Sequence, residues 1–297
     1  MRLNLITGKF LKNEPMANHT SWRCGGHAAF FFEPSSLKDL RVFLDAFKEK
    51  KEIFLVGLGS NLLVRDSGFD GVIISTAKFL NKMQWEREFS ELHVECGVPC
   101  VKVARESAKK NKKGLEFFAG IPGTVGGALK MNAGANGNTT WQNIKSVDVI
   151  SRDGKIKTLD RSCFNPGYRT IDGHNQWFVK ACFHLEQNPK MDGFAQIKEI
   201  LSHRKMSQPM GFFSCGSVFI NPENSFAGKL IEECGLKGVR VGGAVVSEKH
   251  ANFILNDKGA SASDIEELIE LVRHQVYKKT GIRLECEVKI IGKKTND

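Results

Sequence analysis

Two glycine-rich segments carry residue types able to hold a phosphate. The first, Gly57-Leu58-Gly59-Ser60-Asn61-Leu62, follows an apolar run ending at Val56. It begins like a dinucleotide-binding fingerprint, but the third glycine is missing and another strand-like run follows where a helix belongs. It reads either as a plain turn between strands or as a turn whose backbone N–H groups cradle a phosphate. The second segment, Ala119 to Ala135, holds Gly120, Gly123, Gly126, Gly127 and Gly134. Pro122 fixes the turn before Gly123, and a helix starting near Thr124 would offer its N-terminus to an anion. Close packing of a glycine-rich helix on a sheet is the competing reading. Taken together, the two segments suggest an extended cofactor with a diphosphate.

The elements that must position these turns follow from periodicity. Leu37, Leu40, Phe43, Leu44 and Phe47 recur at helical spacing, predicting an amphipathic helix over 36–50. Short strands are predicted at 53–56, 62–64, 72–74 and 92–96, with a second helix at 99–112 ending near Gly114. Asp153-Gly154 between alternating runs reads as a hairpin turn. Further on, helices are expected at 194–205 and 225–234, with strand-like runs at 217–220 and 251–255. The clearest helix is 263–280, with Ser263 and Glu266 as a capping box and Gly281 as its stop. The last strand alternates Ile282, Leu284, Cys286, Val288 and Ile290 against Arg283, Glu285, Glu287 and Lys289. The class is α+β.

Composition excludes several functions. Of 297 residues, 41% are hydrophobic and 26% charged, ordinary for a soluble globular chain and against disorder. No apolar run reaches the ~18–20 residues a membrane helix requires, and the start of the chain lacks the pattern of a signal peptide. A cytoplasmic protein is expected. The eight cysteines are scattered without a Cys-x-x-Cys pair, and the eight histidines do not join them at zinc-ligand spacing. Most of the cysteines are expected to be buried thiols in a reducing compartment, and no structural metal is expected. The net charge of +10 falls mainly in Lys48–Lys51, Lys109–Lys113 and Lys293-Lys294, without a nucleic-acid motif. Attraction of anionic small molecules is its better reading.

Beyond single motifs, nine blocks keep a common order along the chain. They are Asn18–Gly26, Val56–Arg65, 119–135, Gly167-Tyr168-Arg169, Gly216–Pro222, Ala227–Ile231, Gly235–Gly238, His250–Ile254 and Glu287–Gly292. In these blocks the sequence resembles the UDP-N-acetylenolpyruvoylglucosamine reductases, within the vanillyl-alcohol-oxidase or PCMH-type flavoprotein fold. The resemblance implies FAD as cofactor and NADPH as co-substrate, with a hydride passing through the flavin to an enolpyruvyl double bond. It carries catalytic roles onto Ser217, Arg169 and Glu287. Cofactor contacts fall on Gly57 to Leu62 and on Pro122, Gly123, Thr124, Gly126, Gly127, Asn132, Gly134 and Ala135. Substrate contacts fall on Tyr168, Asn221, Lys229, His250 and Asn252.

The implied organisation is an FAD-binding region over 1–188, with lobes of about 1–76 and 77–188. A C-terminal α+β substrate-binding domain over 189–284 follows, and a terminal strand over 285–297 returns to the FAD region. With only Tyr168 and Tyr277 present, the chain resembles the shorter subtype without a tyrosine-bearing lid. Three positions depart from the family pattern: Ile220 for a lysine, Cys286 for a proline, and Thr170-Ile171 for an acidic residue and a serine. The expected partners are the nucleotide substrate and NADPH, with no nucleic acid or membrane, and the protein a monomer or weak oligomer. A related flavin-dependent alcohol oxidase or dehydrogenase, or a flavin-binding protein without catalysis, is the alternative.

Overall fold

The computed structural model describes residues 5–172, 176–188 and 192–294. In chain order it contains β1 (Lys9–Pro15), β2 (His27–Glu33), α1 (Leu37–Ala46), β3 (Glu52–Val56), β4 (Leu62–Val64) and β5 (Phe69–Ser75). Next come β6 (Met83–Glu86), β7 (Glu91–Glu95), α2 (Cys100–Lys109), α3 (Val125–Lys130), β8 (Gly134–Ala135) and β9 (Asn138–Thr139). β10 (Ile144–Ile150), β11 (Ile156–Asp160), β12 (Asn165–Gly167), β13 (Thr170–Asp172), β14 (Trp177–His184) and α4 (Gly193–Ser207) follow. The chain closes with α5 (Ala227–Glu233), β15 (Arg240–Val241), β16 (Ala244–Val246), β17 (Ile254–Asn256), α6 (Ala262–Thr280) and β18 (Lys289–Ile291). The α+β expectation holds.

Two compact units share these elements. One comprises Met1–Leu11, Phe31–Gly57 and Ile73–Arg204, the other Lys12–Phe30, Leu58–Val72 and Lys205–Asp297. The boundary expected at 188/189 and the end of the expected terminal segment touch 189–191 and 295–297, which lie outside the described residues.

The first unit is organised on a five-stranded sheet of order β11-β10-β14-β7-β6. Its alternation is that of a half-buried sheet: Val147, Val149, Ala181, Phe183, Leu92 and Val94 are all buried. The Asp153-Gly154 turn joins β10 to β11 as predicted, pairing Ile150 with Ile156. Gly154 takes φ +75°, which an ordinary side chain disfavours. The helix expected over 36–50 stops at Ala46, where Phe47 leaves helical geometry and buries its ring, leaving the lysine run beyond it.

In the second unit α6 supplies the core. Ile265, Leu268, Ile269, Val272 and Val276 are buried against Trp22, Leu63, Val218, Phe219, Ile231 and Ile254. Burying each such side chain contributes about 1.5–3 kcal/mol as an upper bound. The helix ends at Gly281 with φ +73°, as predicted. Its capping box, however, is Ser261 with Asp264, two residues earlier than the sequence suggested. Both residues of the expected box are engaged elsewhere: the Ser263 hydroxyl donates to Asp66 at 2.7 Å, and Glu266 accepts a bidentate pair from Arg65 at 2.9 Å.

Three strand readings are corrected. Of the run 282–290, only its end pairs in a ladder, as β18 parallel to β4. The expected strand at 251–255 begins at Ile254, because Phe253 N–H closes a turn onto His250 O at 3.0 Å. Residues 217–220 form no named strand; Phe219 makes one isolated antiparallel bridge to Cys286.

Candidate active site

In the first unit Gly57 meets Thr124 of the second glycine-rich segment. A Cβ added to Gly57 would lie 2.4 Å from Thr124 Oγ1, so only glycine allows this approach. α3 starts at Val125 with Thr124 as its N-cap residue, as predicted. Its first amides are already used: Val125 N–H donates to Val98 O at 2.9 Å and Gly126 N–H to Cys96 O at 2.8 Å. Those two groups anchor the helix to the preceding β7–α2 connection and are not offered to an anion. Gly126 packs with its Cβ position 3.1 Å from Cys96, whereas a Cβ on Gly127 would meet nothing within 4 Å. Packing therefore explains Gly57 and Gly126 but not Gly127, whose missing side chain keeps open space beside the helix.

The tip of the β12–β13 hairpin carries Tyr168 and Arg169 between the paired residues Gly167 and Thr170. Arg169 adopts φ +58°, a left-handed conformation that costs a non-glycine residue energy and that clusters at functional sites. Its guanidinium lies over the Tyr168 ring, 5.4 Å from the centroid, and Nη1 donates to Gly134 O at 3.2 Å. Asn132 Nδ2 donates to Gly167 O at 2.8 Å, and its Oδ1 accepts from Trp141 N–H at 3.3 Å. That buried amide thus joins the hairpin to the backbone at Trp141. Pro122 and Gly123 precede α3, and Gly123 O accepts from Cys100 N–H at 3.0 Å.

The second unit sets the backbone segments that carry Ser217 and Glu287 side by side. Cys215 anchors the segment, with Sγ donating to Gly59 O at 3.7 Å and Leu62 O at 3.6 Å. Burial pushes its thiol up to about 12, so it is an inert anchor. Gly216 then takes φ +76°, turning the chain so that half-buried Ser217 opens an extended stretch. On one side Val218 O accepts from Glu287 N–H at 2.8 Å, and Ile220 N–H donates to Glu285 O at 2.9 Å. On the other, Val218 N–H donates to Asn252 O at 2.8 Å. Asn252 also grips Phe219 with both ends of its amide, Oδ1 accepting at 2.9 Å and Nδ2 donating at 2.8 Å. This side-chain clamp replaces the ladder that the strand-like pattern suggested. Glu287 O in turn accepts from Asn61 Nδ2 at 3.0 Å, and Lys289 N–H donates to Asn61 O at 3.1 Å. Gly59, Asn61 and Leu62 of the first glycine turn therefore hold the backbone that carries Ser217 and Glu287.

The other proposed substrate residues gather around α5. Asn221 Oδ1 accepts from Ala227 N–H at 3.0 Å, and Lys229 projects from the helix with its side chain mostly exposed. Gly228 admits His250, whose Cε1 would be 3.2 Å from a Cβ there. His250 Nδ1 accepts from Asn252 N–H at 3.2 Å, which requires the neutral tautomer with its proton on Nε2.

Sequence reasoning missed the anchoring roles of Trp22, Ser21 and Cys215. Trp22 is fully buried and donates from Nε1 to Ile254 O at 2.8 Å; Ser21 N–H donates to Gly59 O at 3.1 Å. The Asn18–Gly26 block pointed to this segment, but its partners lie too far along the chain for any local pattern to reveal them.

Two results are expected of these contacts. Asn252→Ala leaves the Phe219 N–H and C=O buried without partners, a cost of about 2–5 kcal/mol; urea unfolding of the FAD-loaded enzyme reads it as a lower midpoint. Burial holds the His250 imidazole below its ordinary value of 6.5. The unfolded chain then takes up the proton first as pH falls, so stability declines below about pH 6.5 and levels off only once the folded group is protonated. His250→Asn should flatten that segment of the midpoint–pH curve, and an unchanged slope would assign it elsewhere.

Comparison with known proteins bears on what this arrangement serves. Residues 28–160 match the model of an FAD binding domain, and residues 208–291 that of the UDP-N-acetylenolpyruvoylglucosamine reductase C-terminal domain. The reductase of Legionella pneumophila strain Corby is 47% identical over 287 residues, covering 96% of this chain and 93% of its own. That of Nitrosomonas eutropha is 44% identical over 300 residues, covering 97% and 90%. The chain belongs to the UDP-N-acetylenolpyruvoylglucosamine reductase family. The crystal structure of the Thermus caldophilus reductase superposes with a TM-score of 0.81 at 28% identity, covering 96% of this chain and 99% of its own. The chain is an FAD-containing oxidoreductase, and the open space at Gly127 fits a cofactor lying along that backbone.

Proposed function

We propose that this reductase converts UDP-N-acetylenolpyruvoylglucosamine to UDP-N-acetylmuramate with NADPH, supplying a peptidoglycan precursor. The adjacent backbone segments that carry Ser217 and Glu287, clamped by Asn61 and Asn252, support the proposal. Held along the Gly57–Leu62 and Pro122–Ala135 segments, FAD would supply the hydride chemistry that links NADPH to the enolpyruvyl double bond.

The chain's own residues complete the reduction. Hydride arrival at C3 leaves enolate character at C2, and the Ser217 hydroxyl donates the proton there, regaining one from solvent afterwards. A serine hydroxyl is a weak acid, but a developing carbanion is a strong enough base to take its proton. Arg169 offsets the charge growing on the substrate carboxylate, which suits a planar guanidinium better than an ammonium. Its strained backbone and its bond to Gly134 fix the direction of that guanidinium. Glu287, whose backbone is held on both sides, orients the reacting carboxylate end. Asn221, Lys229, His250 and Asn252 shape the region around α5 for the nucleotide-sugar, with Tyr168 beside Arg169. Leu58, Ser60, Pro122, Gly123 and Ala135 are proposed to line the cofactor with the glycines already named.

A cytoplasmic location is part of this proposal, supported by the dependence on NADPH and a UDP-linked substrate; no described helix is long and apolar enough to cross a membrane. Product analysis tests the reading: one UDP-N-acetylmuramate should form for each NADPH consumed. Oxidation of NADPH without that product would leave a flavoprotein of different purpose. Arg169→Ala and Glu287→Gln should slow flavin reoxidation by the substrate by about 10²–10⁴-fold while leaving flavin reduction within a few-fold. An unchanged reoxidation rate removes the residue concerned from the mechanism.

A further inference from the structure

β6, β7 and β14 lie side by side in the first unit. Their registers set Cys182 opposite His93, and both Glu86 and His184 opposite Glu91. Strand alternation puts these side chains on one face of the sheet. Cys182 Sγ is 3.7 Å from His93 Nε2 and 3.8 Å from Glu91 Oε2, and Glu86 Oε2 is 3.4 Å from the same His93 nitrogen. One ligand atom from each of Glu91, His93 and Cys182 falls within 4.8 Å of the other two. In a tetrahedral zinc site, metal–N/O distances of about 2.0–2.1 Å and a metal–S distance of about 2.3 Å put neighbouring donors about 3.3–3.6 Å apart. The Cys182–His93, Cys182–Glu91 and His93–Glu86 separations lie within a few tenths of an ångström of that range.

We propose that Glu91, His93 and Cys182, with Glu86 at the mouth, form a binding site for a divalent cation of the zinc class. The donor set of one sulfur, one imidazole and carboxylate oxygens suits such an ion better than a hard one such as magnesium. Glu91 and Cys182 are buried at 6% and 4% exposure, while His93 and Glu86 are open enough to admit the ion. The surrounding charges permit it. Lys145, in an irregularity of β10, holds Glu91 Oε1 at 2.6 Å, and Arg87 lies 3.3 Å from the same oxygen, leaving Oε2 turned to the sulfur. Lys145 also holds the Glu91 carboxyl below its usual range, so it is an ionised donor. Two cations thus balance two carboxylates, and an arriving dication that displaces the thiol proton adds one net positive charge. Burial, then the Glu91 charge, pushes the Cys182 thiol up to about 11, so without metal it is a protonated, unreactive group. None of these four residues takes part in the chemistry proposed above, and an ion here would cross-link three strands.

The test uses tag-free, FAD-loaded enzyme, stripped with a chelator, equilibrated with zinc and desalted before elemental analysis. About one zinc per chain is expected, with one sulfur neighbour at about 2.3 Å in the zinc-edge X-ray absorption spectrum. His93→Asn and Cys182→Ser should each lower retained zinc by about tenfold or more, with turnover in zinc-free buffer unchanged. Retention below about a tenth of an equivalent by the parent enzyme, or full retention by either variant, overturns the proposal. Should a variant fail to keep FAD, the parent's absorption spectrum decides: a first shell without sulfur excludes Cys182.

Discussion

Ser217→Ala should leave NADPH bleaching of the flavin at its normal rate and slow reoxidation by the enolpyruvyl substrate by about 10³-fold. The asymmetry follows from where the hydroxyl acts: no proton is required at C2 until hydride has reached C3. The substitution removes one oxygen from a half-buried position and leaves the Val218, Phe219, Glu285 and Glu287 backbone bonds intact, so the fold should persist. Rapid mixing of NADPH with oxidised enzyme, then of substrate with reduced enzyme, separates the two steps. Equal slowing of both would mean that Ser217 shapes the site and is not the proton donor.

Gly59→Ala should be among the most damaging single changes to stability. A Cβ there would stand 1.9 Å from His19 O, and Gly59 has φ +65°. The left-handed conformation costs about 1–2 kcal/mol for an alanine, and forcing the neighbouring backbone aside costs about 1–3 kcal/mol more. The shift would reach the cofactor turn and, through Cys215, the segment bearing Ser217. Lower flavin content and a lower urea midpoint are expected together. Gly216→Ala is the control, because Gly216 has φ +76° but nothing within 4 Å of its Cβ position. It should lose only the conformational part, about 1–2 kcal/mol. If both variants lose the same stability, close approach to His19 is not the reason for glycine at 59.

Much of this was legible because local patterns carried it. The glycine turn at 57–59, the hairpin at Gly154 and the face of α6 each express a backbone or burial requirement within a few residues. The catalytic positions became legible only from blocks spread over the chain, since an isolated serine or arginine has no signature of its own. What failed to show depends on partners distant in sequence. Residues 217–220 alternate like a strand, but their second edge is satisfied by the Asn252 amide, which no periodicity announces. The capping box of α6 fell two residues early because Ser263 and Glu266 answer to Asp66 and Arg65, 197 and 201 positions away. The Glu91–His93–Cys182 cluster was invisible for the same reason: strand pairing, not spacing, assembles it.

The most direct measurement is an anaerobic visible absorption record of the purified enzyme through two additions. NADPH should bleach the flavin band, and an equimolar addition of UDP-N-acetylenolpyruvoylglucosamine should then restore it while one equivalent of UDP-N-acetylmuramate forms. A flavin that bleaches but stays reduced until oxygen enters would contradict the account and favour an oxidase. A colourless protein that cannot be reconstituted with FAD would contradict it at its root.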